Sequence, residues 1–231
     1  MRSAVLLSGG LDSAVLLADE ARSHDVHPIY VSVGLAWEPA ERETLAQLLS
    51  DPTLAGHVAP LAPLTIDMRD VYAATHWAIE GRPPGYDTPD EDVYLPGRNV
   101  VLVGKAAVYC AATSIHRLVL GTLAGNPFPD ATPEFRSSMS IALSLGLAHQ
   151  IQIEAPYALL HKADVIRRGA MLGVPLDLTM SCMNPRPAPT GSSQHCGACS
   201  KCRERHDAFV EAGIPDPTRY ADRQNVGRTA F

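Results

Sequence analysis

Residues 2–13 read RSAVLLSGGLDS, and the order of residue types in this stretch decides the fold. Ala4 to Leu7 is continuously apolar, as a short strand covered on both faces requires. Ser8-Gly9-Gly10 is a turn, and from Ser13 to about Ser23 the residues Val15, Leu16, Leu17 and Ala21 fit a helix. Strand, glycine turn and helix in succession open a crossover unit. Working outward, residues 26–34 (VHPIYVSVG) read as a second strand and 38–50 (EPAERETLAQLLS) as a helix with Leu45, Leu48 and Leu49 on one side. A third strand is expected at 61–66, blurred by Pro60 and Pro63. Residues 99–113 carry almost no polar side chains and predict a buried helix. Strands at 117–121 and 151–154 and helices at 134–147 and 161–171 complete the pattern. Alternation at this spacing predicts an α/β fold, a mostly parallel sheet with right-handed crossovers and helices on both faces.

The rest of the composition bounds the function. Hydrophobic residues at 46% and charged residues at 19% suit a packed domain rather than a disordered chain. No apolar run reaches the ~18 residues of a membrane helix, and the start is too short for a signal peptide before it meets Gly-Gly. Nineteen basic against 25 acidic residues leave a net charge of −6, which argues against a stable nucleic-acid partner and leaves small charged metabolites. The Pro- and Gly-rich stretch 80–97 has no period and reads as a lid or binding loop, and residues 121–135 form a second punctuated loop. From 175 onward Pro, Gly, Ser and Cys dominate. We therefore expect an α/β domain over 1–174 and a cysteine-bearing segment over 175–231 packed on it.

Two motifs carry chemistry. In Ser8-Gly9-Gly10-Leu11-Asp12-Ser13, adjacent glycines let backbone N–H groups converge, the following helix adds its positive end, and two hydroxyls face the same anion. All six residues between a strand and a helix favour a phosphate site over an ordinary glycine turn. Gly97 and Gly104-Lys105 are wrongly spaced for the other common phosphate loop, G-x-x-x-x-G-K-[ST]. The second motif is Cys182, Cys196, Cys199 and Cys202. Three thiols within seven residues and a fourth returned by a Pro-rich loop fit a closed tetrahedral zinc site in a reducing compartment. An iron–sulfur cluster fits the same spacing. A redox dithiol normally opens a helix of a thioredoxin-like unit, and a disulfide does not suit the compartment. His195 adjoins the cluster, but four thiolates already fill the shell. Cys110 falls in the apolar helix and reads as a core residue.

S-G-G-x-D-S after the first strand resembles the loop of the N-type ATP pyrophosphatases, whose fold is the five-stranded adenine-nucleotide α-hydrolase sheet. Together the two motifs resemble the 7-cyano-7-deazaguanine synthase family. Leu95-Pro96-Gly97-Arg98-Asn99 is similar to its V-P-G-R-N element and Phe128-Pro129-Asp130 with Glu134-Phe135 to its Y-P-D-C-R-x-E-F segment. Ser144-Leu145-Gly146-Leu147, Lys162-Ala163-Asp164, Ser181-Cys182-Met183-Asn184 and the CGACSKC run match further elements. The family's Y-G-Q after the second strand is Val33-Gly34-Leu35 here, and its basic run is replaced by GLAWEPAERE.

The resemblance implies an enzyme that uses ATP and Mg²⁺ to adenylate a carboxylate, reacts it with ammonia to an amide, and then forms a nitrile. ATP would lie on Ser8 to Ser13, with its adenine around Val31 to Gly34 and Val33 and Gly34 among its contacts. Asp12, Lys162 and Arg98 would be catalytic. Arg98, Asn99, Phe128, Asp130 and Glu134 would hold the substrate, 7-carboxy-7-deazaguanine. Zn²⁺ would sit on the four cysteines. No Cys–His glutaminase pair is readable, so ammonia arrives free or from a partner. Lys201, Arg203 and Arg205 read as a solvated face, and His76-Trp77 as packing. We expect a cytoplasmic homodimer. Two alternatives stand beside this: a related ATP pyrophosphatase amidating or thiolating another substrate, and a non-catalytic zinc module that binds ATP as a ligand.

Overall fold

In the computed structural model, residues 1–189 and 191–226 are described. Residues 190 and 227–231 of the expected C-terminal segment lie outside them. Five strands, β1 (Arg2–Leu6), β2 (Asp25–Ser32), β3 (Ala62–Thr65), β4 (Arg117–Val119) and β5 (Gln152–Glu154), form one sheet in the order β3-β2-β1-β4-β5. Every pairing is parallel. β1 lies in the middle, with Val5 opposite Pro28 on one side and Val119 on the other. The chain moves outward from β1 to β3 and then crosses back to lay β4 on the opposite flank. The order reverses between β1 and β4, and an open parallel sheet has its natural crevice there, beyond the carboxyl ends of the strands.

Alternate strand residues feed two separate cores. Ala4, Ile29, Leu118 and Ile153 pack on one face against Val103, Ala106, Ala107 and Cys110 of α4 (Arg98–Ala112), after the short α3 (Trp77–Glu80). Val5, Val26, Tyr30 and Val119 face the other way, onto α1 (Leu11–Glu20), α2 (Glu38–Leu48) and α6 (Lys162–Met171), which cover the second face. Each fully buried Leu, Ile or Val stabilises by about 1.5–3 kcal/mol, enough for strands of three to five residues to persist when both faces are covered. α1 and α6 approach closely at Gly169, where an added Cβ would lie 2.6 Å from Val15 Cγ2.

α4 departs from expectation. It is buried along one side only, with Val100 42% and Val108 52% exposed. Its neighbour α5 (Pro133–Leu147) buries no residue fully and leaves Ile141 and Leu145 exposed. The sheet needs one face of α4, and α5 packs at its flank, so the apolar residues in excess of that face point outward. Among the described residues no helix is long and apolar enough to cross a membrane.

The cysteine-bearing segment enters both cores. Cys182, Cys196, Cys199 and Cys202 join the cluster of Ile29 and Leu118, while Ala208 and Phe209 of α7 (Ser200–Ala212) join the other. A two-stranded ribbon, β6 (Arg186–Pro187) with β7 (Ser193–Gln194), carries the chain between the first and second cysteines. Gly197 must be glycine, because its φ is +77° and a Cβ would lie 1.7 Å from the Asp222 carbonyl oxygen.

The basic face expected at Lys201, Arg203 and Arg205 is corrected here. Arg205 is fully buried. Its guanidinium donates to Thr218 Oγ1 (2.6 Å), Thr179 Oγ1 (2.8 Å), Ser181 Oγ (3.2 Å) and the Leu176 carbonyl (2.7 Å). All three lie on α7, where Arg205 shares the buried side with Cys202 and Phe209, and a basic residue's type alone does not mark it for that side.

Candidate active site

The glycine turn ends β1 at the order reversal. Gly9 adopts φ +81°, a left-handed conformation costly for other residues, and its carbonyl accepts from Met180 N–H (2.8 Å). Gly10 is extended, at φ −69°. Within the turn Gly10 N–H donates to Ser8 Oγ (3.2 Å) and Ser13 Oγ–H to the Gly10 carbonyl (3.0 Å). The first helical bond of α1 runs from Ala14 N–H to Gly10 (3.0 Å), so the amides of Leu11, Asp12 and Ser13 precede it and point out of the helix end. Gly121, just past β4, lies against this end, since a Cβ there would be 3.4 Å from Ser13 N. Helix end, turn and hydroxyls make an anion cradle on the central strand.

Ion pairs flank the cradle. Lys162 Nζ lies 3.2 Å from Asp12 Oδ2 and 2.5 Å from Glu204 Oε1. Burial opposes the charge on Lys162, but the two carboxylates outweigh it and raise the amine above its usual range. Burial also works against the Glu204 carboxylate, yet Lys162 and Lys201 hold it down at about 2. Burial raises the Asp12 carboxyl, against the pull of Lys162. Asp12 Oδ1 is buried without a hydrogen-bond partner among the described residues.

Two adjoining cavities of about 280 and 600 Å³ open above the turn. Ser8, Gly10, Asp12, Glu41 and Arg98 line both. The smaller has an apolar floor, Leu6, Ile29, Val31 and Leu102, beneath Phe128, which stacks on Tyr94 at 5.1 Å. The larger reaches Lys162, Lys201 and Glu204, with Trp77 stacked on Trp37 in its wall. Arg98 Nε is buried beside these cavities, without a hydrogen-bond partner among the described residues. A fork-shaped cation with an unused N–H is suited to a carboxylate or phosphate. The stretch 80–97 docks on the cysteine segment: Gly85 bridges to Cys199, Arg203 donates to the Thr88 carbonyl (3.0 Å), and Lys201 pairs with Asp90 (3.3 Å).

Several expected site residues stand elsewhere or are already engaged. Val33 and Gly34 line neither cavity, and both of their N–H groups donate to Glu38 Oε1, at 2.7 and 3.0 Å. Of the expected stretch 31–34, Val31 lines the smaller cavity. Asn99 and Asp130 line it too, but they hold each other: Asn99 N–H donates to Asp130 Oδ2 (3.0 Å) and its Nδ2 to Oδ1 (3.2 Å). Asp130 thereby caps α4. Glu134 is exposed at the start of α5 and lines neither cavity.

Glu41 was missed by sequence reasoning. It is buried, accepts from Tyr30 O–H (2.9 Å), and faces both cavities. Its only local signal is an acid on the apolar side of a helix. Glu204 was missed as well, because it meets Lys162 across 42 residues of chain.

The four cysteine sulfurs lie within 4.8 Å of one another and all four residues are buried. The nearer pairs are 3.6, 3.8 and 3.9 Å apart. A tetrahedral shell with sulfur ~2.3 Å from zinc sets sulfurs ~3.8 Å apart, so the donor set fits the ion. Amides of Asn184, Cys196 and Ala198 donate to these sulfurs, the support a thiolate shell needs. His195 is not a ligand substitute, since its Nε2 accepts from Ser181 N–H (3.1 Å). Burial pushes the Cys110 thiol up to about 12, as befits a core residue.

The turn generates a paired prediction. Gly9→Ala forces a side chain into the left-handed region with Glu41 O and Thr44 Cγ2 only 3.3 Å from its Cβ, so it should destabilise by ~1–3 kcal/mol in thermal unfolding. Gly10→Val has an allowed backbone and should fold, yet lose at least ~10-fold in ATP affinity by titration, because its side chain occupies the cradle. A Gly10→Val protein that binds ATP like its parent removes the phosphate from this turn.

The family model described as "Queuosine biosynthesis protein QueC" matches residues 2–213. The 7-cyano-7-deazaguanine synthase of Caldicellulosiruptor bescii is 34% identical, over 95% of this chain and 97% of its own. That of Methanothrix thermoacetophila is also 34% identical, over 95% and 98%. A crystal structure titled as a 4-thiouridine synthetase–RNA complex with bound ATP superposes with a TM-score of 0.50 at 12% identity, over 95% of this chain and 47% of that one, and shares the fold. Cradle, cysteine cluster and near full-length similarity agree, and the chain belongs to the queuosine biosynthesis protein QueC family.

Proposed function

We propose that the protein is an ATP-dependent carbon–nitrogen ligase that converts 7-carboxy-7-deazaguanine to 7-cyano-7-deazaguanine. The observation that carries this reading is the meeting of three unsatisfied features in one crevice. These are the amides of Leu11, Asp12 and Ser13 that precede the first helical bond and, without partners among the described residues, Asp12 Oδ1 and Arg98 Nε. The names of the relatives support the product, 7-cyano-7-deazaguanine, and the acid is the one that the family resemblance implies. The triphosphate lies on the cradle and Arg98 orients the substrate carboxylate towards the α-phosphate. The carboxylate oxygen bonds to that phosphorus as pyrophosphate leaves. The loop amides and Lys162 neutralise the departing charge from fixed positions, which is where most of the acceleration arises. Asp12 Oδ1 is the hard oxygen that would hold a Mg²⁺ ion, whose chemistry is neutralisation of the phosphates. Ammonia, free or delivered by a partner, displaces AMP to leave the amide. A second ATP activates the amide oxygen, and its loss as AMP gives the nitrile. The lids 80–97 and 121–135 keep water from the acyl-adenylate.

The decisive assay supplies ATP, Mg²⁺, ammonium and 7-carboxy-7-deazaguanine, measures AMP, and identifies the product by mass spectrometry. We expect AMP and the nitrile. AMP with another carboxylate but not with this one overturns the substrate and keeps the chemistry, whereas no AMP with any acid leaves a module that only binds ATP. Thiolation is disfavoured by the buried, proton-retaining Cys110 and the net charge of −6.

We assign Zn²⁺ to Cys182, Cys196, Cys199 and Cys202 as a structural ion, in a reducing cytoplasm that keeps the thiols free. The purified protein should be colourless, with one metal ion per chain, and Cys199→Ser should lower the unfolding temperature and the metal content together. Visible absorption of an iron–sulfur cluster would replace zinc in this assignment.

We also propose a homodimer through the outer faces of α4 and α5. A two-fold interface uses the same patch on both subunits, so one apolar patch suffices to build it. Val100, Val108, Ile141 and Leu145 offer apolar surface there on a chain otherwise charged −6. Leu145→Arg should give a monomer by sedimentation, and an unchanged mass would exclude this face.

A further inference from the structure

Lys162 is held from two sides. Asp12 belongs to the phosphate loop, and Glu204 comes from α7, five residues past its N-cap Cys199 and two past Cys202. Glu204 is itself fixed, since its other oxygen, Oε2, takes Lys201 Nζ at 2.6 Å, and Lys201 reaches on to Asp90 of the stretch 80–97 at 3.3 Å. An alternating row results: Asp12, Lys162, Glu204, Lys201, Asp90. Its ends are the phosphate loop and the loop that covers the cavity.

A lysine has a long flexible stem and a point charge, so one carboxylate does not define where its ammonium rests. With Asp12 alone, the ammonium would fold onto the loop and oppose the carboxylate that should face the cavity. A second carboxylate on the far side fixes the ammonium at the rim of the cradle. Electrostatic stabilisation depends on such prior fixing, because a charge that must swing into place at the moment of bond breaking loses most of its effect.

We propose that Glu204 is a positioning residue for Lys162, holding its ammonium where the leaving pyrophosphate gathers charge. The role rests on the ligase reading and adds to it a residue from the cysteine-bearing segment. That segment thereby contributes to the reaction as well as to stability.

The test compares the metal-loaded full chain with Glu204→Gln and Glu204→Asp. Four quantities are read: metal per chain, ATP affinity by titration, the rate of AMP release, and acylation of Lys162 by acetic anhydride, located by peptide mass spectrometry. In Glu204→Gln we expect unchanged metal content, ATP affinity within ~3-fold of the parent, kcat lower by ~10-fold, and Lys162 acylation raised at least ~3-fold. Glu204→Asp restores the negative charge and should recover part of both losses. The proposal is overturned if Glu204→Gln leaves kcat and acylation at their original values. It is overturned equally if metal content, ATP affinity and kcat fall together, which is the mark of a structural role. Acylation does not require turnover. A parent protein that releases no AMP therefore refutes the ligase reading by itself, while Lys162 labelling still decides whether Glu204 holds the amine.

Discussion

Arg205 presents its guanidinium to four neutral oxygens and, among the described residues, to no carboxylate, at full burial. Such a group is stable only while every acceptor stays in place, since each lost partner leaves a buried donor unsatisfied. Three of its partners lie in 176–181, the segment that carries Met180 onto the Gly9 carbonyl and delivers Cys182 to the sulfur cluster. The fourth, Thr218, ties down the strap whose Asp222 covers Gly197. The phosphate cradle below and the cysteine cluster above are thus located by one side chain. Burial lowers the affinity of the guanidinium for its proton, but an arginine remains charged, and that persistence suits it to the position.

Features encoded in consecutive residues were legible in the sequence. The strand–turn–helix of residues 2–20 and the spacing of the four cysteines each occupy a short window in which residue type dictates geometry. The parallel sheet followed from the alternation of strands and helices. What was not legible depends on partners far along the chain. Asp130 reads as a free acid near the substrate until Asn99, 31 residues away, is seen to occupy both its oxygens. Val33 and Gly34 offer amides to an adenine only if Glu38 does not turn back to take them. The apolar stretch 99–113 predicts burial on all sides, yet composition cannot tell a helix covered by its own chain from one left to meet another.

Sequence reading divides the cavity residues along the same line. Arg98, Phe128 and Lys162 were found through short motifs, and the structure gathers them around the turn. Glu41 and Glu204 sit in helices of mixed charge, where one acid among several gives no sign of facing inward. Both are acids beside a helix N-terminus suited to an anion, where charge alone predicts repulsion. Their presence is intelligible only with their partners, Tyr30 for one and Lys162 with Lys201 for the other.

The central place of β1 has a consequence for how the chain reaches this state. Residues 8–13 are made before β2 and β3, of which β2 pairs with one edge of β1 and β3 with the far edge of β2. The other edge of β1 stays open until residues 117–119 have been made, and the turn lacks its support at Gly121 until then. Its second support, Met180, arrives later still. Parallel pairings of this sequence separation form slowly, and an open central edge is the surface most prone to pair with a foreign strand. The glycine turn is therefore synthesised well before the two segments that give it its final shape.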